Sequence, residues 1–286
     1  MGAQARREVN PRMVAVGQGD GLCCLAGLSI SDQKEGRRQA GGGMAGGTEG
    51  RLVVIDLART VALIGMAVFH FTFDLEMFGL VAPGTTTTGG WAIFARVVAG
   101  SFLFLAGVSL VLGHGGGIRW PSFLRRMAKL AGAALLVTAG TYAAFPNAFV
   151  FFGILHSIAL ASLLGLAVIR LPAVGLLLLA ALVVAVDRSV ALEALNPRWW
   201  AWIGLGTMQP PSVDLVPVFP WFASVLMGMA MAKLAGAGGL WSRLAAGQPS
   251  GIARWLAWPG QHSLVIYLLH QPVLIGGLWL FLWLRA

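Results

Sequence analysis

Four ionisable side chains lie within or at the end of the first long apolar segment of the chain: Asp56, Arg59, His70 and Asp74. Ionisable groups are costly inside a membrane helix, and they usually face the interior of a helix bundle or an aqueous cavity. At about 100° per residue, the four side chains fall within about 60° of one another around a helix. Arg59 and His70 are eleven positions apart, which is about 16 Å along the helix axis. The stripe therefore predicts the wall of a path through the protein.

His70 precedes Asp74 by four positions, so the two side chains share one face of a helix. An acidic neighbour raises the basicity of an imidazole and fixes its tautomer, which is what a general base needs. We therefore predict His70 as a catalytic base and Asp74 as the group that orients it. Asp56 and Arg59 leave two interpretations open, an ion pair at the start of the helix or a part of the functional stripe.

Three further polar side chains interrupt later apolar segments. Arg96 lies about one turn inside its segment and needs an anionic partner, for which Asp74 is the candidate by depth. His156 and His270 are both expected near the middle of the membrane. Each of these histidines leaves two roles open, an interhelical hydrogen bond or a functional group, and three histidines at similar depth on three helices favour function.

The composition indicates the kind of protein that holds these groups. Apolar residues make up 57% of the 286 positions and charged residues only 11%, whereas a soluble domain carries roughly a quarter of charged residues. The net charge of +9 does not indicate a nucleic-acid partner, because the basic residues lie between apolar segments and form no patch. Cys23 and Cys24 are adjacent and cannot alone form a structural zinc site, so we predict no metal or redox centre.

Apolar segments of membrane-spanning length, which is about 20 residues, predict about seven transmembrane helices. The segments run over about 52–73, 91–112, 122–144, 148–169, 172–187, 216–236 and 262–284. The stretch 198–206 is rich in tryptophan and too short to span, which is typical of an interfacial or re-entrant piece. Lys and Arg occur in alternate connections, for example in 113–126 but not in 74–90. We therefore predict an all-α, polytopic bundle in the inner membrane, with the amino terminus inside and the carboxyl terminus outside.

Residues 1–50 differ from the rest of the chain. They are rich in Gly, Gln and Arg and lack a sustained apolar period, which predicts disorder. Met44 stands shortly before the first apolar segment, so a true start at Met44, with residues 1–50 a misassigned extension, is equally compatible with the sequence. We assign the transmembrane domain to 51–286 and no function to the preceding residues.

Several segments together resemble the bacterial members of the heparan-alpha-glucosaminide N-acetyltransferase catalytic-domain family. The segments are 51–59 (RLVVIDLAR), 69–75 (FHFTFDL), 100–110 (GSFLFLAGVSL), 152–159 (FGILHSIA), 219–222 (FPWF) and 263–272 (SLVIYLLHQP). Arg59 and His70 also resemble the Arg-and-His signature of the wider group of membrane acyltransferases. The resemblance covers nearly the whole chain after residue 50.

The resemblance implies transfer of an acyl group, with acetyl as the favoured one, from a cytosolic acyl-CoA to a sugar amine or hydroxyl at the outer face. By analogy, Asp56 and Arg59 would serve the donor, and His70 would act as general base or briefly carry the acyl group. Second-tier candidates for lining the tunnel follow from the same analogy: Arg96, His156, Tyr267 and His270. In the lysosomal enzyme of this family, an asparagine matches His70 and the catalytic histidine follows in the next loop. The 75–90 loop contains no histidine here, so either His70 has taken that role or this branch does different chemistry.

A second class of function fits the same residues. In a proton-coupled transporter or permease of a small solute, intramembrane histidines and carboxylates serve coupling or substrate binding. An accessory membrane subunit is a third interpretation. The acyltransferase hypothesis predicts the lipid bilayer, acyl-CoA and a glycan or small-molecule acceptor as partners, and it leaves a homodimer open.

Overall fold

The structure is a computed structural model, and it describes residues 52–285. The segment 1–50, with the predictions made for it, lies outside the described residues. Within 52–285 the regular structure is entirely helical, which confirms the predicted all-α class. The helices are α1 (Val53–Met77), α2 (Gly89–His114), α3 (Trp120–Ala144), α4 (Ile154–Ala167), α5 (Ala173–Ser189), α6 (Val218–Ala237), α7 (Leu240–Ala246), α8 (Gly251–Gln261) and α9 (Ser263–Trp283).

Five of these helices, α1, α2, α3, α6 and α9, are long and apolar enough to cross a membrane. The chain is therefore a multi-pass integral membrane protein. Helices α4 and α5 have 14 and 17 residues, which correspond to about 21 and 26 Å of a hydrocarbon core of about 30 Å. The predicted count of seven crossings and the orientation of the termini stay predictions.

The fourth apolar segment forms a shorter helix than the predicted 148–169, because α4 begins only at Ile154. The preceding residues are engaged in backbone hydrogen bonds with the connection between α5 and α6. The N–H of Val213 donates to the carbonyl of Ala148 at 2.8 Å, and that of Val216 donates to Phe152 at 3.0 Å. Residues whose backbone carbonyls are paired in this way do not continue the helix, so apolar character alone overestimated its length.

The tryptophan-rich stretch forms only a short 3-10 turn, Arg198–Trp200, in agreement with the prediction that it does not span. The chain then returns towards the bundle. The N–H groups of Val218 and Phe219 donate to the carbonyls of Trp202 and Ile203, both at 2.8 Å. This connection, residues 190–217, is therefore fixed at both α4 and α6.

Helix α6 is the most buried of the five long helices and packs mainly against α2 and α5. Glycines allow the backbones of α2 and α6 to approach closely. A Cβ at Gly107 would overlap the carbonyl oxygen of Val225, and a Cβ at Gly228 would overlap that of Phe104. Small residues at such crossings are the usual device of membrane helices, because helix association in lipid depends on close van der Waals contact.

Helix α1 is held by α8 at the end that carries Asp56. The hydroxyl of Thr60 donates to the carbonyl of Leu256 at 2.9 Å and accepts from the N–H of Gly260 at 2.9 Å. A Cβ at Gly260 would overlap the carbonyl oxygen of Asp56. The first turns of α1 are therefore fixed in rotation, with Asp56 directed into the bundle at 1% exposure.

Candidate active site

A cavity of about 430 Å³, here called the basic cavity, opens among helices α1, α2, α3, α4 and α9. Its cationic lining residues are Arg59, Arg125, Arg126 and Lys129. None of the described residues that line it is acidic. The remaining polar lining residues are Ser109, Ser122, Ser263 and Tyr267. A cavity with this charge suits a ligand that carries several phosphate groups, because guanidinium and ammonium groups form charge-assisted hydrogen bonds to phosphate.

Arg59 is held in the basic cavity by two neighbours. One guanidinium nitrogen donates to Asp56 Oδ1 at 2.9 Å, and another donates to the hydroxyl of Ser109 at 2.6 Å. The sequence left open whether Asp56 and Arg59 form an ion pair or a part of the functional stripe. The structure shows the ion pair, and it places Arg59 at the wall of the basic cavity; a functional role of the pair stays a prediction.

Three of the cations in the basic cavity were not recognised as site candidates from the sequence. Arg125, Arg126 and Lys129 served only as markers of membrane orientation. Arg125 and Lys129 are four positions apart near the start of α3 and therefore share a face of that helix. The i, i+4 spacing of these two cations, in the first turns of a helix that begins with a proline, is the sequence signal that could have identified them.

A second cavity of about 240 Å³, here called the histidine cavity, is lined by His70 of α1 and Arg96 of α2. The connection 190–217 contributes Ser212 and Asp214, and α6 contributes Trp221. The predicted stripe on α1 therefore reaches two different chambers, with Arg59 at one and His70 at the other.

The imidazole of His70 contacts other aromatic rings. Within residues 52–285 it neither donates nor accepts a hydrogen bond. Its ring centroid lies 4.9 Å from that of His270 and 5.5 Å from that of Phe69. The ring nitrogens of His70 do not belong to the fully buried polar atoms that lack a partner, and the residue lines the histidine cavity. This arrangement leaves an imidazole nitrogen available to a ligand.

Asp74 does not make the contacts that the sequence suggested. Its Oδ1 accepts a hydrogen bond from the side-chain amide of Gln271 at 2.5 Å. The predicted pairings of Asp74 with Arg96 and with His70 are absent from the described residues. Both predictions were wrong because the helical wheel gives the face of α1 but not which residue of α9 comes closest to it.

His156 and His270 lie beside the cavities and do not line them. The N–H of Gly153 donates to Nδ1 of His156, whose Nε2 lies 3.4 Å from the hydroxyl of Thr138. His156 therefore caps α4 and bridges to α3, which is the interhelical role. Nδ1 of His270 is bonded to the carbonyl of Tyr267; because a carbonyl only accepts, this nitrogen carries a proton.

The two cavities share one wall. Three residues line both of them: Phe102 of α2, Ile154 of α4 and Tyr267 of α9. Tyr267 was predicted as a tunnel residue, whereas Phe102 and Ile154 carry no polar atom in the side chain and gave no signal. The two cavities are therefore adjacent, with these three side chains between them.

Asp214 is the other lining residue that sequence reasoning did not select. Its Oδ2 accepts a hydrogen bond from the N–H of Ile154 at 3.0 Å, at the start of α4. A Cβ at Gly153 would overlap this carboxylate, so the glycine is what lets it approach. Burial raises the pKa of Asp214 to about 6, partly offset by the hydrogen bond from Ile154. A carboxyl group with this pKa is ionised at neutral pH and can accept a proton there.

The model of the family described as Heparan-alpha-glucosaminide N-acetyltransferase, catalytic, matches residues 51–272. This match covers all of the segments on which the resemblance rests. It also covers every described residue that lines the two cavities. The chain belongs to this family. No curated protein and no solved structure matches the chain.

Membership of the heparan-alpha-glucosaminide N-acetyltransferase family, together with the five long apolar helices, makes the chain a membrane protein of a transferase family. Transferases of this family use acetyl-CoA in general. Within residues 52–285, no group of three or more His, Cys, Asp or Glu side chains could hold a metal ion.

Proposed function

We propose that the protein transfers an acyl group, acetyl in the favoured case, from cytosolic acyl-CoA to an amine or hydroxyl of an acceptor at the outer face. The observation that carries this proposal is the pair of cavities with a common wall at Phe102, Ile154 and Tyr267. In this proposal the donor and the acceptor occupy the two adjacent chambers, and the acyl group passes between these three side chains.

The basic cavity is the donor site in this proposal. CoA carries a diphosphate and a 3′-phosphate, and Arg125, Arg126 and Lys129 supply cations with no acidic lining residue to compete for them. Arg59, fixed by Asp56 and Ser109, is the one cation among the described lining residues of this cavity that lies on the same helix as His70. The phosphates would therefore lie at the start of α3, with the thioester directed at the common wall.

The histidine cavity is the acceptor site. His70 presents an imidazole without a protein hydrogen-bond partner in the described part of the chain, and it acts on the acyl group as a general base or as a carrier. Trp221 offers an aromatic face of the kind that packs against the apolar face of a sugar ring. The acceptor class of the family, an amino sugar, is therefore compatible with the lining residues, and a small amine or alcohol is the other acceptor that the cavity admits.

Label transfer tests the proposal. Detergent-solubilised protein is incubated with acetyl-CoA labelled in the acetyl group, with and without glucosamine, and label is followed into protein and into the amide product. We expect transfer by the unaltered protein and its loss in His70→Ala. His262→Ala is the matched control, because His262 is exposed and lines neither cavity. Label transfer that persists in His70→Ala would contradict the assignment of His70.

Thermal unfolding tests the donor site independently of chemistry. Free CoA should raise the unfolding temperature of the unaltered protein, and the shift should be lost in the double variant Arg125→Gln, Lys129→Gln. Arg188→Gln is the control, since the Arg188 side chain is 82% exposed and does not line the cavity. Equal stabilisation of both variants by CoA would exclude the basic cavity as donor site.

A transporter would use the same intramembrane groups in another way. It would take up an unmodified solute into proteoliposomes with saturation, and it would not move label from acetyl-CoA. Saturable uptake without label transfer would therefore favour a transporter over the acyltransferase.

A further inference from the structure

Asp214 stands in the histidine cavity without a role in the function proposed so far. It lies in the connection 190–217 and is placed by backbone hydrogen bonds on both sides of it, from Val213 to Ala148 and from Val216 to Phe152. One carboxylate oxygen is engaged by the N–H of Ile154. The second carboxylate oxygen has no hydrogen-bond partner within residues 52–285 and does not belong to the buried, unpartnered atoms.

The charged and titratable groups around the cavity come from each element that lines it. His70 comes from α1, Arg96 from α2 and Tyr267 from α9, and the connection itself supplies Asp214. Asp214 is therefore the sole carboxylate in the described lining, and it faces one permanent cation. Both Asp214 and Ile154, its hydrogen-bond donor, line the cavity, and Ile154 belongs to the wall shared with the basic cavity.

We infer that Asp214 is the base that takes the proton from the acceptor's amino or hydroxyl group in the histidine cavity, an assignment that rests on the acyltransferase function proposed above. The alternative base is His70. Protonation of His70 would create a second positive charge in a cavity that already holds Arg96, next to the ring of His270. Protonation of Asp214 instead removes a charge from a partly desolvated site, which is the less costly change.

The assignment leaves His70 to carry the acyl group. In the first step an imidazole nitrogen of His70 bonds to the carbonyl carbon and the carbon–sulfur bond breaks. The proton on the other ring nitrogen passes through water to the sulfur, so that CoA leaves as a thiol and the acylated ring is neutral. In the second step the acceptor nitrogen or oxygen bonds to that carbon, the bond to His70 breaks, and Asp214 takes the proton that the acceptor loses. Asp214 passes this proton to the released imidazole of His70, so that the protein is unchanged at the end.

The ionised form of Asp214 is the active one, which sets the direction of the pH dependence. Burial raises the pKa of Asp214 to about 6, so the base is available above this pH and is lost as the pH falls below it. The acceptor amine also loses reactivity when protonated, but it does so equally in any variant. The ratio of the rate of the unaltered protein to that of a variant without the Asp214 carboxylate therefore isolates the contribution of Asp214.

The test compares Asp214→Asn with the unaltered protein, using labelled acetyl-CoA and glucosamine as the acceptor probe between pH 5 and pH 8. Asparagine keeps the acceptor for the Ile154 N–H and removes the base. We expect transfer to glucosamine to fall at least about 100-fold at pH 7.5, while label on the protein itself persists. The ratio of the unaltered rate to the variant rate should decline about tenfold per pH unit below about pH 6. Glu193→Gln removes an exposed carboxylate of the same connection and is expected to change neither quantity.

Each outcome decides between the alternatives. Transfer by Asp214→Asn within threefold of the unaltered rate, or a rate ratio that stays constant with pH, would overturn the assignment of Asp214. Absence of label transfer by the unaltered protein would instead overturn the proposed function. If Asp214→Asn is not stabilised by free CoA and has therefore lost its fold, Asp214→Glu replaces it. That variant keeps a carboxylate and should retain transfer within about tenfold of the unaltered rate at pH 7.5; a fall of about 100-fold or more with stabilisation by free CoA intact would equally overturn the assignment.

Discussion

The two cavities differ in how their functional side chains are held. In the basic cavity, Arg125 and Lys129 are exposed side chains on one face of α3, and only Arg59 is fixed by a buried partner. In the histidine cavity, Asp214 is fixed by the start of α4, and His70 packs against the ring of His270. The basic cavity is thus distinguished by the positive charge of its side chains, and the histidine cavity by side chains that are held in place by their neighbours.

Under the proposed function, this difference corresponds to two kinds of contribution to catalysis. Cations that hold phosphates remote from the reacting bond bind the substrate and the transition state alike, so their loss raises KM. A base or nucleophile acts in the transition state, so its loss lowers kcat. Kinetic constants of variants in the two cavities should therefore separate cleanly, and the predictions below test that separation.

His70→Ala is expected to have the largest effect. Removal of the imidazole should lower kcat for transfer by about 10²–10⁴-fold, with KM for acyl-CoA unchanged because the basic cavity is intact. Steady-state kinetics with a range of acetyl-CoA concentrations measures both constants. A large rise in KM for acyl-CoA in this variant would break the division between the cavities.

Arg125→Gln combined with Lys129→Gln should act in the opposite way. Hydrogen bonds to charged groups contribute about 1.5–3 kcal/mol each, so KM for acyl-CoA should rise by at least about tenfold while kcat changes little. The same assay should show that salt raises KM of the unaltered protein, because these side chains are exposed. A fall in kcat without a change in KM would contradict a binding role.

Phe102→Ala examines the boundary between the cavities and should have a smaller effect. Loss of the ring enlarges the space at the wall that both chambers share. The ratio of the rate with butyryl-CoA to the rate with acetyl-CoA should therefore increase several-fold. Competition between the two donors measures this ratio directly. Val111→Ala is a control on the same helix outside both linings. An unchanged ratio would indicate that the acyl group does not pass this wall.

Thr60→Val is expected to have the smallest effect. The substitution removes the hydroxyl that joins α1 to α8 but keeps its volume, and a hydrogen bond of this kind contributes about 1 kcal/mol. The unfolding temperature should therefore fall by a few degrees, with the ratio of kcat values between acceptors unchanged. A change in acceptor preference would mean that the two ends of α1 are coupled.

The sequence predicted what depends on helical periodicity. The shared face of Arg59 and His70 on α1 follows from their spacing, and both side chains line cavities as that face requires. The family could also be identified from local segments, and its model match confirms it. These features depend on residues that lie near one another in the chain.

The sequence did not predict what depends on contacts between distant segments. Gln271 is the partner of Asp74, and Asp214 reaches the start of α4 across sixty positions of chain. The late start of α4 relative to the predicted 148–169 has the same origin, because the residues before Ile154 are paired with the connection that carries Asp214. A one-dimensional pattern contains no distance between such segments, so these pairings required the fold.

The central claim is that donor and acceptor occupy separate chambers that meet at Phe102, Ile154 and Tyr267. Electron cryomicroscopy of the detergent-solubilised protein with bound CoA tests it most directly. The account predicts density for the phosphates beside Arg125, Arg126 and Lys129, with the thiol end at Tyr267 and the histidine cavity free of CoA. Density for CoA in the histidine cavity, or phosphates bound away from these three cations, would contradict it.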